Sequence, residues 1–531
     1  MFDRRRRPAL EALEDRVVPS ITLSMGVLTI TGTTGHDAFR ISLQPGNSTN
    51  IEVSDGTMTQ DFALSSVTSV VVNGVAGTDR LTIDESNGFV GNTATGGLPI
   101  TFNGSTTTGI DTVVLTGTLS GTVTETYTLG PTTGSGKVVT VSGTASQSLT
   151  FSHVSSVIDT VAADTVDVTI NLGDQDHIAM LTPGRTIDGA KTMRLRGINR
   201  GDVMDSLDER MAEQATSSNG DDNSNEDDED DDFAANLEDE DSSAFPGLTL
   251  GNKTDVTINL GNGNNLLIVN LPHAPTGLSS LTVNGGTGTD ILALIHVPAG
   301  VVVTPTSTPN SNNISRVVTD ADDIFIEELF EIDLGRAADE GGLESWKGLF
   351  ERDHNALEVV QGIERSEEGR SNLVRRLFHR LLNRDADAQG LQGFVNALMN
   401  GEREEDIIAA ILASPEFLQR AESLFPTVSA SEAYVDALYQ LVLNRLPTMQ
   451  ESSGFIAFLQ ANNTSTAARF EVAEGFVESQ EFRNQDIMAL FANLLNRRAD
   501  MGGFSAFSAS TVGLEGIRDA FEASAEFQND D

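Results

Sequence analysis

Two hydrophobic rhythms divide this chain. Between residues 21 and 305 apolar side chains recur at every second position, and beyond residue 324 they recur at every third or fourth. A period of two turns one face of a strand inward, and a period near 3.6 does the same for a helix. The pattern predicts a β-repeat region over 21–200 and 248–305. It predicts helical repeats over 324–428 and 429–531, after a Pro/Ser/Thr/Asn-rich linker over 306–323. The fold class expected is multidomain, β then α.

A unit recurs within the β region. Val70–Ile83 reads V-V-V-N-G-V-A-G-T-D-R-L-T-I, and Leu281–Leu294 reads L-T-V-N-G-G-T-G-T-D-I-L-A-L. Val168–Met180 and Val256–Val269 are looser copies that both begin V-T-I-N-L-G. Asn-Gly and Gly-x-Asp supply the turns, because Gly takes positive φ freely and Asn and Asp tolerate it. Repetition at tens of residues favours a parallel β-helix or β-roll-like solenoid, with β-sandwich modules as the alternative.

The helical region contains four copies of one arrangement. Each has a Leu-Asn/Gly-Arg, a D-x-x-G-like segment ending in an aromatic residue, and a Ser-x-Glu. The arginines are Arg336, Arg384, Arg445 and Arg497. Asp339, Asp387 and Asp500 are expected to cap the second helix of their copies, with Glu451 in the equivalent place of the third. Ser366, Ser414, Ser479 and Ser524 are expected to cap the helices that open with Ser-x-Glu. Asn or Gly before each Arg suits a left-handed helix end, and the Arg is expected to reach the last carbonyls. Ser366 to Asn383 and Ser479 to Asn496 each span 17 residues without Pro, so one helix of roughly 26 Å should serve two successive copies. Pro426 and the Ser429–Glu432 capping box break the second-to-third junction, which predicts two paired halves meeting near 426–432.

These spaced elements resemble the domain of unknown function 4214 family, whose unit reads roughly G/N-R-x-x-D-x-x-G-L-x-x-W, then S-x-E-F. The resemblance implies a small helical module of large bacterial exported, surface-layer-like and adhesin-like proteins, with no established catalytic residues. Gly369 stands where the pattern has Phe, and the third copy has extra residues around Pro447.

Charge narrows the partners. The chain carries 33 Lys+Arg against 78 Asp+Glu, a formal net charge of -45, which argues against nucleic acid and anionic membrane. There is no cysteine, so disulfides and thiolate metal sites are excluded. No apolar run approaches the roughly 18 residues of a membrane-spanning helix. Acids concentrate in 201–247: Asp221–Asp241 holds 13 of them in 21 residues, and disorder is expected there. This insert separates the two V-T-I-N-L-G units, so it reads as a loop thrown out of a continuous β array. The basic start, 1–20, contains L-E-A-L-E-D-R-V-V-P-S at Leu10–Ser20. That segment resembles a sorting tag of bacterial surface proteins, which implies export to the cell surface or beyond.

One stretch points to a metal. Gly285–Ala293 matches the calcium-binding nonapeptide of RTX β-rolls, and that resemblance implies Asp290 as carboxylate ligand with Gly286 and Gly288 lending carbonyls. Ca²⁺ wants six to eight oxygens, however, and no adjoining nonapeptide supplies them. The alternative is a turn-forming Asp before a strand, as also read for Asp37, Asp79, Asp111 and Asp176. A polysaccharide-acting β-helix enzyme would need converging carboxylates and a base, and the five histidines of this region are scattered. The expectation is a non-catalytic surface or extracellular structural protein without a cofactor other than a candidate Ca²⁺. The β array would be a spacer and the helices an assembly or anchoring module. Its partners would be other surface proteins, cell-wall polysaccharide or further copies of itself. A calcium-dependent adhesin or carbohydrate-binding module is the second reading, and the polysaccharide enzyme the third.

Overall fold

The structure, a computed structural model, describes residues 20–93, 97–105, 111–130, 134–174, 177–198, 245–306, 314–495 and 499–529. Among the described residues strands run up to Val318 and, apart from a single 3-10 turn at Leu64–Ser66, helices begin at Ala321, so the architecture is β then α. The N-terminal tag segment up to residue 19, most of the acidic insert and Asp176 lie outside the described residues.

The strands form two facing sheets. A typical rung places one strand in each: Ser69–Asn73 then Arg80–Asp84, Leu98–Asn103 then Thr112–Thr116, Asp255–Asn259 then Asn265–Asn270, Ser280–Asn284 then Asp290–His296. Successive rungs stack parallel and in register, with Val70 opposite Ile100, Leu81 opposite Val113, Val256 opposite Leu281 and Leu266 opposite Ile291. This is a two-sheet parallel solenoid. The inward Val, Ile and Leu of both sheets form one continuous core from Ile21 to Val301.

Each sheet also carries an antiparallel meander near its middle. In the first sheet it is Thr122–Leu129, Gly136–Ser142 and Ala145–Ser152; in the second it is His177–Ile187, Ala190–Ile198 and Gly247–Leu250. The acidic insert is the connection between the last two of these strands. The strands on either side of the second meander are neighbours in the first sheet, with Val168 opposite Val256 and Ile170 opposite Ile258.

Several strands of the second sheet do not alternate, and three of them lie against the helical region. Ile178–Leu181, Leu266–Val269 and Ile291–Ala293 are buried on both faces, so they read as continuous apolar runs. Ala179, Leu267 and Leu292 face the solenoid core, while Ile178, Met180, Leu266, Ile268, Ile291 and Ala293 face outward under Val318, Ile324 and Ala337. The helical region therefore covers the outer face of these three strands. The stretch read as a linker carries the last strand, Arg316–Val318, paired parallel with Asp290–His296. Arg316 reaches across to the buried Glu327 and donates to the Ala338 carbonyl at 2.7 Å.

The helices are α1 (Ala321–Leu329), continued by a π turn (Phe330–Leu334), α2 (Glu340–Asp353), α3 (Ala356–Glu364), α4 (Glu367–Leu382), α5 (Ala388–Met399), α6 (Glu404–Leu412), α7 (Pro415–Leu424), α8 (Ala430–Val442), α9 (Met449–Ala461), α10 (Thr466–Val477), α11 (Gln480–Asn493), α12 (Met501–Ser508), α13 (Leu514–Glu522) and α14 (Ala525–Asn529). α4 runs from Ser366 to Asn383 without interruption, and α11 runs from Ser479 to Leu494, so each serves two copies. The cores pair the copies differently from the two halves expected. α4 to α10, the second and third copies, enclose one core, while α1, α2, α3, α11 and α13, the first and fourth, enclose another. Shared helices tie copies one to two and three to four along the chain, and side-chain packing ties two to three and four to one. The four copies thus close on themselves.

Candidate functional site

In the solenoid, the residues singled out for calcium brace the turn. Asp290 is fully buried; its Oδ1 accepts from Asn265 Nδ2 at 2.7 Å and its Oδ2 from the Gly286 amide at 2.8 Å. The neighbouring turn comes from the rung 25 residues earlier, and Thr289 N donates to Asn264 Oδ1 at 2.9 Å. Backbone stacking explains the glycines: a Cβ on Gly286 would lie 1.6 Å from the Gly261 carbonyl oxygen, and one on Gly288 2.0 Å from that of Gly263. At the other end of the solenoid the Asp37 amide donates to Asp79 Oδ1 at 3.0 Å, and the Asp79 amide to Asp111 Oδ1 at 2.6 Å. Burial, and then the neighbouring Asp111 charge, push the Asp79 carboxyl up to about 7. Among the described residues, no group of three or more His, Cys, Asp or Glu is placed to hold a metal ion. A shallow open depression on the outer side of the second sheet is lined by Arg40, Glu52, Thr59, Arg80 and Thr82, and Asp84 holds the Arg40 guanidinium at 2.6 Å.

In the helical region the punctuation residues do two jobs. Asp339, Asp387 and Asp500 accept from the amides of Gly342, Gly390 and Gly503 at the starts of α2, α5 and α12. Ser366, Ser414, Ser479 and Ser524 do the same for Gly369, Phe417, Phe482 and Phe527. In the third copy Thr448, not Glu451, caps α9, and Glu451 completes the capping box from inside the helix.

The repeat arginines reach further than the helix ends. Arg336 grips Glu368 at 2.5 and 2.8 Å while its guanidinium stacks over Phe330. Arg384 grips Glu416 in the same way over Phe378. Arg445 grips Glu481 at 2.6 and 3.0 Å over Tyr439, and adds Glu451 at 2.8 Å. These three arginines therefore each latch the aromatic end of one helix to the Ser-x-Glu start of the helix that closes its copy. The Glu side of the latch was not foreseen, although every copy has it two residues after the capping Ser. Arg336 and Arg384 also donate to the carbonyls of Ala337 and Asp385, which follow the helix rather than end it. Arg497 lies outside the described residues.

Where the copies meet, charges are buried. Arg518 of α13 binds Glu364 of α3 at 2.8 Å and Glu404 of α6 at 3.0 Å. Arg365 holds Asp519 at 2.6 Å, and Arg370 holds Glu515 at 2.7 Å. Asp333, Asp486 and Glu522 complete a hub richer in acids than in bases. Burial raises Glu364 and Glu522 well above the carboxylate range, raises Asp486 to about 7, and raises Asp333 to about 6. Against its burial, hydrogen bonds with Glu364 and Gln361 and the Arg365 charge hold Asp519 below the usual carboxylate range. No single stretch of sequence announces this hub, because its members are spread from residue 333 to 522.

The profile of the family described as Domain of unknown function (DUF4214) matches residues 369–421 and 422–486. The matched spans are the second and third copies, which share one core. No curated protein and no solved structure matches the chain. Among the described residues no helix is long and apolar enough to cross a membrane.

Proposed function

We propose that this chain is a non-catalytic structural protein of the cell surface or extracellular space, in which the β solenoid acts as a stiff spacer and the closed helical array as an assembly or anchoring module. The observation that carries this reading is the apolar seam between the two parts. Ile178, Met180, Leu266, Ile268, Ile291 and Ala293 lie under the first helix, and Arg316 is locked to Glu327. Such a seam transmits orientation and load from one part to the other, as a spacer with a fixed head requires. The acidic charge suits solubility and contact with cations or basic surfaces. The partners proposed are other surface proteins, envelope polysaccharide or further copies of this chain. Fractionation of cells expressing the tagged full-length chain tests the reading. Recovery with the envelope or in the medium supports it, and recovery in the cytosol alone overturns it.

A further inference from the structure

One buried cluster of the solenoid takes no part in the roles above. Lys253 follows the strand Gly247–Leu250, and its ammonium lies inside the solenoid with 1 % of its surface exposed. Its Nζ is 2.7 Å from Asp159 Oδ1 and 2.8 Å from Glu125 Oε2. Asp159, Glu125 and Tyr127 are buried as fully. The Tyr127 hydroxyl donates to Asp159 Oδ2, and the Glu125 and Asp159 carboxyls lie within hydrogen-bonding reach of each other. A salt bridge so deep is a poor source of stability, because desolvating the charges costs about as much as their attraction returns.

The same geometry is well suited to a reaction. An amine held against a carboxyl, away from water, with a second carboxyl beside both, has the parts for amide condensation. Two carboxyls share one cation, so one proton is available in the cluster. Burial, and then the Asp159 charge, raise Glu125 well above the carboxylate range, which makes it the proton carrier. Burial pulls Lys253 down, but the Asp159 and Glu125 carboxylates outweigh it and raise it above its ordinary range, so the amine attacks only after passing a proton to the carboxylate beside it.

We propose that Lys253 and Asp159 become joined by an amide bond in the folded solenoid, with Glu125 as the proton-transfer group. The Nζ lone pair forms a bond to Asp159 Cγ. Glu125 takes a proton from the nitrogen and delivers it to Oδ1. The Cγ–Oδ1 bond breaks and one water leaves. Tyr127 holds Oδ2, the oxygen that gains charge in the tetrahedral intermediate. The sum is an amine and a carboxylic acid giving an amide and water, with no oxidant or reductant. The bond closes a loop spanning 94 residues that contains the whole acidic insert, so the rungs on either side of the insert are fastened covalently.

Cyanogen bromide cleavage of the denatured, purified full-length chain tests this. Cleavage after methionine separates residues 59–180, which contain Asp159 and Glu125, from residues 212–399, which contain Lys253. The expected result is one linked species, lighter than the sum of the two fragments by one water. In the E125Q chain the expected result is two separate fragments from a protein with unchanged β circular dichroism. Separate fragments at their sequence masses from the unsubstituted chain overturn the bond. A linked species from the E125Q chain overturns the role of Glu125.

Discussion

Asn259 donates its side-chain amide to the Asn171 side-chain oxygen at 2.7 Å, across 88 residues of chain. Asn284 makes the same bond to Asn259, also at 2.7 Å, so the Asn residues that end these three strands belong to one ladder. The ladder passes the acidic insert without a break. The two strands that the insert connects are already paired, with Leu195 opposite Leu248 and Met193 opposite Leu250. A short turn can join such antiparallel strands. Replacing residues 200–244 with a short Gly/Asn turn is therefore expected to leave the β signal intact and the melting temperature within a few degrees. Loss of the β signal on circular dichroism would show that the insert is part of the fold.

The Arg latch is partly exposed, so its worth is modest but measurable. Arg445 is the strongest case, with two carboxylates and a Tyr439 ring 4.8 Å from its guanidinium carbon. R445A is expected to cost about 1–2 kcal/mol in urea unfolding followed by the helical signal. R445K is expected to recover less than half of that, because an ammonium cannot grip a carboxylate with two parallel bonds or stack as a plane. Full recovery by Lys would reduce the latch to a simple charge.

The outer face of the second sheet gives a sharper contrast. Ile268 is buried under the helical region, whereas Thr257, at an outward position of the first sheet, is partly exposed. I268A is expected to cost about 2–4 kcal/mol, and T257A less than about 1 kcal/mol. Equal effects would mean that the helices do not seal the sheet.

These contrasts show what the sequence made legible. Alternation, the Asn-Gly turns and the repeated V-T-I-N-L-G units favoured a parallel solenoid over β-sandwich modules, and Ser366 to Asn383 was enough for a shared helix. The seam was written in Leu266–Val269 as an unbroken apolar run, a sign of burial on both faces that a search for alternation passes over. The Arg–Glu latch joins residues 32 positions apart in the first two copies, beyond the reach of helical spacing rules. The closure of copy four on copy one depends on α3 and α13 meeting, and the hub residues that mark it stand at no fixed interval. Lys253 and Asp159 were similarly silent, because a Lys at a turn ordinarily faces water.

The hub makes stability depend on pH in a definite direction. Asp486 titrates near 7 in the fold and near 3.8 in an unfolded chain. Between those values the unfolded chain has lost a proton that the folded chain keeps, so stability falls as pH rises and levels off above about 7. D486N removes this dependence. Relative to the unsubstituted chain, it is expected to gain about 2–3 kcal/mol between about pH 5 and about pH 8, read from urea midpoints of the helical signal. A gain that is the same at both pH values would place the Asp486 titration elsewhere.

The most direct test of a surface role is chemical labelling of intact cells that express the full-length chain. Lys137 and Lys191 are exposed on the solenoid, and Lys253 is buried. With an amine reagent that cannot cross membranes, modification of Lys137 and Lys191 on unbroken cells, with Lys253 unmodified, is the expected result. Modification of Lys137 and Lys191 only after lysis would contradict the proposed location, and with it the structural role at the cell surface.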